Sequence, residues 1–302
     1  MLNKDSLQNN KKILVIGLSG ESVFLNIDHF NKNGETINAL NRHVEPGGKG
    51  YNQAIALGKL GADVSFITTF GNGTYKDECV KHLNINNVKT YNIEKSNLGS
   101  YAVIIVDRDG NNNVICEKGA SKDVTFEDIM KYKEILDDSD IYLLQLEYNE
   151  KVMKKVIEYG YQKGKTIVLN PAPRCYLDID TLKKVNILTP NEFEITFINK
   201  EELNDVHIVC TMGDKGSRYQ YKGIIKDYNS RKVKAIDTTG AGDIFNAGLV
   251  YSLSLNNEDS KNIINMASHI NFATCCSACK VKKKGIVNAI PSLDEVIEML
   301  NK

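Results

Sequence analysis

The stretch best equipped for chemistry is Thr238-Thr239-Gly240-Ala241-Gly242-Asp243. Two glycines around one methyl-bearing residue let the backbone turn sharply and let a ligand approach its N–H groups closely. The apolar period changes at this point. Val233, Ala235 and Asp237 alternate as on one face of a short strand, whereas Phe245, Leu249 and Leu253 recur every four residues as on a helix. A strand over 233–237 that runs into a helix is therefore expected. The first N–H groups of a helix lack intrahelical acceptors and sit at the positive end of its dipole, so the Gly240, Ala241 and Gly242 amides suit a phosphate. Asp243 puts a carboxylate beside that anion. Asp is a common helix cap, but capping alone gives no reason for the glycines. The dinucleotide fingerprint G-x-G-x-x-G would need glycine where Phe245 stands. A phosphate loop with an adjacent carboxylate suits phosphoryl transfer better than hydride transfer.

A second glycine-rich stretch, Pro46-Gly47-Gly48-Lys49-Gly50-Tyr51-Asn52-Gln53, precedes a helical pattern carrying Ala54, Ile55, Leu57 and Leu60. A Walker loop needs Ser or Thr after the lysine, and Gly50 is there. These glycines instead let the main chain lie against a small polar ligand whose hydroxyls Lys49 and Asn52 can reach. Glu147 follows the apolar run 141–146, at the end of a strand where open α/β sheets bind ligands. A lone Glu after a strand is more often a solvated loop residue. Asn170-Pro171-Ala172-Pro173, Thr189-Pro190-Asn191-Glu192-Phe193-Glu194 and Met212-Gly213-Asp214-Lys215-Gly216 each follow a further strand-like run.

Together these motifs resemble a known family. DTTGAGDIFNAG is similar to the C-terminal signature of the ribokinase-like (PfkB) sugar kinases, and PGGKGxNQA followed by KLGADVSFIT to their N-terminal signature. LLQLE, NPAP and TPNExE fall between them in family order, so the resemblance spans nearly all of residues 12–300. It implies an α/β fold: a ribokinase-like three-layer sandwich with a mainly parallel central sheet and a small β-sheet lid. It also implies transfer of the γ-phosphoryl group of ATP to a primary hydroxyl. Asp243 would be the catalytic base, with Gly240, Ala241 and Gly242 as the anion hole. Ser22, Gly47, Gly48, Lys49, Asn52, Glu147 and Asp243 would hold the sugar. Asn191, Thr211, Gly213, Lys215, Gly216, Gly242 and Thr274 would contact ATP. Glu194 would order magnesium through water, since that ion keeps several waters and takes few carboxylates. Potassium behind the loop would take Asp237 and Thr239, completed by carbonyls near Lys280, Lys283 and Gly285. A homodimer through the β lids is the family expectation.

The chain departs from the family pattern in places. Ribokinases read GxxNxDH in the first strand, whereas Gly20 stands here for the Asn and Ser22 for the Asp. A serine hydroxyl cannot supply a charged acceptor for two sugar hydroxyls. Tyr51 stands where alanine is usual, Thr274 where His or Asn is usual, and Ala289 where Ser is frequent. Ribose, phosphorylated at O5, leads by similarity; another sugar or a nucleoside is the alternative. A sugar-binding regulator without catalysis is a third reading, against which the intact Asp243 loop argues.

At 302 residues the chain has room for a sizeable core. The expected organisation is a polar tail at 1–11 and a kinase domain at 12–302, with lid segments near 22–46 and 98–118. Strands are expected at 12–18, 64–68, 100–106, 113–117, 141–146, 166–169, 187–188 and 207–211. A hairpin turn is expected at 107–111 and helices after Asn52, at 76–83, at 261–280 and at 293–300, the last capped by Ser292. Strands alternating with helices give a parallel sheet covered on both faces. Lys plus Arg equals Asp plus Glu at 38 each, so small partners are expected rather than nucleic acid or a membrane. No apolar run reaches the roughly 18 residues of a membrane span and no signal core precedes residue 12, which points to the cytoplasm. Seven scattered cysteines are no disulfide framework. Cys276 and Cys279 lack a second ligand pair and read as small helix-packing residues, and 282–284 as a solvated lysine edge.

Overall fold

The computed structural model describes residues 11–73, 75–174, 176–255 and 265–302. Residues 1–10 of the expected tail and 261–264 of the expected long helix lie outside the described residues. Strands in chain order are β1 (Ile13–Ile16), β2 (Gly20–Asn26), β3 (Asn41–Gly47), β4 (Val64–Thr68), β5 (Lys89–Asn92), β6 (Ser100–Val106), β7 (Asn112–Glu117), β8 (Ile141–Gln145), β9 (Thr166–Asn170), β10 (Ile187–Leu188), β11 (His207–Thr211), β12 (Ser217–Tyr221) and β13 (Ile224–Tyr228). The helices that matter below are α1 (Lys49–Leu60), α2 (Lys76–Ile85), α3 (Glu150–Gln162), α4 (Ala241–Ser254), α5 (Met266–Val281) and α6 (Leu293–Leu300).

β1 is buried along its whole length because helices cover both faces of its sheet. Ile13 and Val15 join one core with α1, α4 and α5, while Leu14 and Ile16 join the other with α3. Among the described residues the large sheet has the order β13-β12-β11-β10-β9-β8-β1-β4-β5. From β5 to β11 its strands run parallel, and β12 and β13 add an antiparallel edge. The carboxyl ends of β1, β8, β9, β10 and β11 thus share one edge, the usual place for ligands in such sheets. The expected sandwich is the one observed. The run 233–237 is not a strand. Its alternation is real, but β13 already forms the sheet edge, and the Ile236 and Asp237 N–H groups donate to the Val281 carbonyl instead.

The small sheet has the order β3-β2-β6-β7, with β2 and β6 parallel in the middle. Its register lines up Val44, Val23, Val103 and Ile115 across all four strands. Two sequence excursions therefore build one sheet over the ligand edge.

α4 and α5 pack so closely that Gly248 is required between them: a Cβ there would lie 2.7 Å from Cys276 Sγ and 3.1 Å from Ala273 Cα. Cys276 is fully buried and, like Cys275 and Cys279, unpaired, in keeping with a packing role. Gly248→Val is expected to cost about 1–3 kcal/mol by overpacking, read as a lower urea midpoint with an unchanged slope.

Candidate active site

Two helix starts converge on the ligand edge. α1 begins after Gly48, at φ 107, and α4 after Gly240, at φ 74. Both backbones are left-handed, where a side chain is strained and glycine is not. Asp243, in the first turn of α4, is only 6% exposed. Its Oδ2 accepts from Asn52 Nδ2 at 2.8 Å and its Oδ1 from Gln53 Nε2 at 3.1 Å, both from α1. Gln53 is oriented in turn by Gln145 Nε2, which donates to Gln53 Oε1 at 2.5 Å from the end of β8. Two donors compensate the lost hydration of a buried carboxylate.

The anion loop differs from expectation in one respect. The Ala241 N–H donates to the Thr238 carbonyl at 3.1 Å and closes the turn. Among the described residues no protein acceptor faces the Gly240, Gly242 or Asp243 N–H, so these three amides are the ones available to an anion. Asn246 Nδ2 holds the Gly242 carbonyl at 2.8 Å, and Thr189 Oγ1 donates to Asn246 Oδ1 at 2.5 Å.

Three cavities meet along the loop 238–243. One of about 330 Å³ lies under the small sheet and is lined by Ser22, Gly47, Gly48, Lys49, Asn52, Glu147, Gly240 and Asp243. A second, of about 200 Å³, shares Lys49, Gly240 and Asp243 with it and adds Asn170, Asn191 and Glu194. A third, of about 670 Å³, shares Thr211, Ala241 and Gly242 with the second and adds Gly213, Gly216, Phe245, Thr274, Ala278 and the segment 230–235. The expected sugar residues thus line one chamber. The expected ATP residues divide between the other two.

Lys215 does not join them. Its ammonium turns outward to Glu192 Oε1 at 3.2 Å, because the turn that carries it faces solvent. Thr274 lines the large cavity with its hydroxyl donated to the Ile270 carbonyl at 2.8 Å.

The charges in the smaller chambers are interdependent. Burial opposes the charge on Lys49, yet Asp243, Glu147 and Glu194 outweigh it and hold the ammonium above its ordinary range. Burial pushes the Glu147 carboxyl up to about 7, against the pull of Lys49. Glu147 Oε2 accepts the Lys49 N–H at 2.9 Å and the Gly50 N–H at 3.4 Å, so it fixes the start of α1. Glu194 is also raised by burial, while the Asn191 N–H donates to its Oε2 at 2.9 Å. Among the described residues no group of three His, Cys, Asp or Glu could cage a metal. A single buried carboxylate facing a phosphate-sized chamber fits magnesium, which keeps most of its water shell.

Behind the loop two of the expected potassium ligands, Asp237 and the Lys280 carbonyl, already accept hydrogen bonds. Asp237 Oδ1 accepts the Thr239 N–H and Oδ2 the Gly285 N–H, each at 2.9 Å. The Lys280 carbonyl, expected as a ligand, accepts the Lys283 N–H at 3.0 Å. The Lys283 side chain turns away to Glu295. The Lys280 side chain, which sequence reading overlooked, points inward and donates to the Asp237 carbonyl at 2.8 Å.

The departures in the first lid strand are locked by packing. A Cβ at Gly20 would lie 2.2 Å from the Ser100 carbonyl oxygen, and Ser22 Oγ is 2.0 Å from where a Cβ of Gly47 would stand. An asparagine at 20 does not fit this backbone.

Residues 10–293 match the pfkB family carbohydrate kinase description. The chain belongs to that family. It is 31% identical to a ribokinase from Bacillus subtilis over 96% of this chain and all of the relative, and 29% identical to a deoxyribokinase from Salmonella typhimurium over 96% and 98%. The crystal structure of ribokinase from Thermotoga maritima superposes with a TM-score of 0.84 at 31% identity, covering 97% of this chain and all of the other. This chain is accordingly a carbohydrate kinase, a phosphotransferase with an alcohol as acceptor.

Sequence reading passed over Gln53, Gln145 and Asn246 as site residues. Gln53 and Gln145 lie inside quoted motifs, and each is a buried polar residue in an apolar run, a signal that a partner must exist.

Because burial raises the Glu147 carboxyl to about 7, its ionised form is costlier folded than unfolded. Its contribution to stability is lost as pH rises from the ordinary carboxylate range through about 7. The melting temperature of Glu147→Gln relative to the unsubstituted protein is expected to climb by a few degrees (~3 °C) between acid and mildly alkaline buffer. Parallel melting curves across that range check it.

Proposed function

We propose that the protein transfers the γ-phosphoryl group of ATP to the primary hydroxyl of a sugar, with ribose O5 as the leading acceptor. The observation that carries this reading is the position of Asp243, where the sugar-sized and phosphate-sized chambers join, one residue from the free amides of the loop. The sugar lies in the 330 Å³ chamber and its hydroxyls meet Lys49, Asn52, Glu147 and Ser22. Asp243 accepts the proton of the attacking hydroxyl, and Asn52 and Gln53 fix which oxygen faces it. The Gly240, Gly242 and Asp243 amides stabilise the oxygens of the migrating group; a preorganised donor of this kind is worth roughly 2.7–4 kcal/mol in acyl transfer. Lys49 lies between both chambers and follows the negative charge as it moves. ATP lies with its base in the 670 Å³ cavity between 230–235 and the Phe245, Thr274 and Ala278 side of α4 and α5. Glu194 and Asn191 would hold magnesium in the phosphate-sized chamber, and the ion would supply charge neutralisation at the phosphate oxygens. Closure of the small sheet, residues 20–47 and 100–117, excludes water as a rival acceptor.

Relatives named for ribose and for deoxyribose both support a pentose. A second reading, a nucleoside or another sugar, is favoured by Ser22, which leaves the chamber without the charged acceptor of the family pattern. The cytoplasm, where ATP is present and cysteines stay reduced, is the proposed location. No described helix is long and apolar enough to cross a membrane. The proposed assembly is a homodimer through the outer face of the small sheet, where Ile115, 64% exposed, ends the apolar row Val44-Val23-Val103-Ile115.

Three measurements test this reading. On a panel of pentoses, hexoses and nucleosides in a coupled ADP assay, ribose is expected to support turnover; background rates with ribose would redirect the assignment to whichever acceptor responds. Asp243→Asn is expected to lower kcat on the best acceptor by about 10²–10⁴-fold with little change in KM, and an unchanged kcat would remove Asp243 as base. In light scattering the protein is expected at twice the chain mass and Ile115→Glu at the chain mass.

A further inference from the structure

We infer that the Lys280 ammonium takes the place of a monovalent cation behind the anion loop, so that this kinase works without potassium. Lys280 closes α5 and is fully buried, which charged side chains almost never are unless paired. Its Nζ donates to the Asp237 carbonyl at 2.8 Å and lies 3.7 Å from Asp237 Oδ1. Glu45, arriving from the small sheet, faces the same space: its Oε1 accepts the Ile286 N–H at 3.2 Å, beside Gly285, whose own N–H holds Asp237 Oδ2. Two carboxylates thus act on one buried cation, the Lys280 ammonium: Asp237 at 3.7 Å, and Glu45 from beyond ion-pair distance.

Several of the oxygens that would ring a free ion already have donors. Both carboxylate oxygens of Asp237 accept main-chain N–H groups, its carbonyl accepts from Lys280, and the Lys280 carbonyl accepts from Lys283. An ammonium has nearly the radius of potassium and carries the same charge, but it is attached to the fold and needs no ion from solution. Lys280 acts through its neighbours and is a positioning residue. It holds Asp237, Asp237 holds the Thr239 N–H, and Thr239 leads into the free amides at Gly240 and Gly242. Removing the ammonium leaves two half-buried carboxylates without their cation and loosens the strap that aims those amides. It also opens a charged hole of the right size for the ion it replaced.

The test uses the intact protein in potassium-free buffer, with potassium or sodium then raised to about 0.1 M at constant ionic strength, so that screening does not change. The unsubstituted protein is expected to show neither a rate change nor a melting shift specific to potassium. Lys280→Ala is expected to lose about tenfold or more in rate and several degrees (~5 °C) in melting temperature, because two half-buried carboxylates lose their cation and a buried side chain leaves a hole. Potassium, and not sodium, is expected to restore part of both. A saturable rise of about twofold or more in the rate of the unsubstituted protein, or a potassium-specific melting shift in it, overturns the inference. So does a Lys280→Ala protein fully active without potassium. The rate arm rests on the kinase reading and the melting arm does not, so a protein that turns over no acceptor still answers the question.

Discussion

Everything at the ligand edge depends on one buried carboxylate held between two helix starts. Asp243 belongs to α4, and its donors Asn52 and Gln53 belong to α1. Nearly two hundred residues of sequence separate them, and only the sheet brings them together. A charged acceptor this buried is tolerable because both oxygens receive hydrogen bonds. The same arrangement fixes the crossing of α1 over α4, and with it the mouth of each chamber. Fold and chemistry share one constraint: if the helices separate, the carboxylate loses its donors, and if the carboxylate goes, two buried amides lose their acceptor.

Much of this was legible in the sequence, for identifiable reasons. The apolar runs that became β1, β4, β8 and β9 are buried on both faces, so their composition carries the signal without help from their surroundings. The glycine turns before Lys49 and Ala241 were legible because only glycine meets their backbone demands. The edge hairpin of β12 and β13 was not read, since its mixed polar pattern, SRYQY and IIKDY, reflects half-exposure. The strand expected over 233–237 failed for the opposite reason: alternation was present and a partner edge was not.

Side-chain direction was the part that residue spacing could not supply. Lys215 and Lys280 were both assigned by position. One turns to solvent and Glu192, and the other turns into the protein to Asp237. The difference follows from what each backbone faces: an exposed turn in the first case, and in the second a pocket bounded by two carboxylates. Gly20 and Ser22 are similar. In the sequence they look like lost ligands, whereas in the fold they are the residues that let β2 lie directly against Ser100 and Gly47.

The joints between the two sheets are unusually short. β1 ends at Ile16 and β2 begins at Gly20, while β3 ends at Gly47 and α1 begins at Lys49. The roof over the sugar chamber is thus tied to its floor by residues 17–19 and by Gly48, with residues 93–99 and Lys118 as its other links. Because the link at Gly48 is a single residue, a shift of the roof is felt directly by the peptide next to Lys49. Admission of a ligand and placement of the lysine that meets its charge are one mechanical movement.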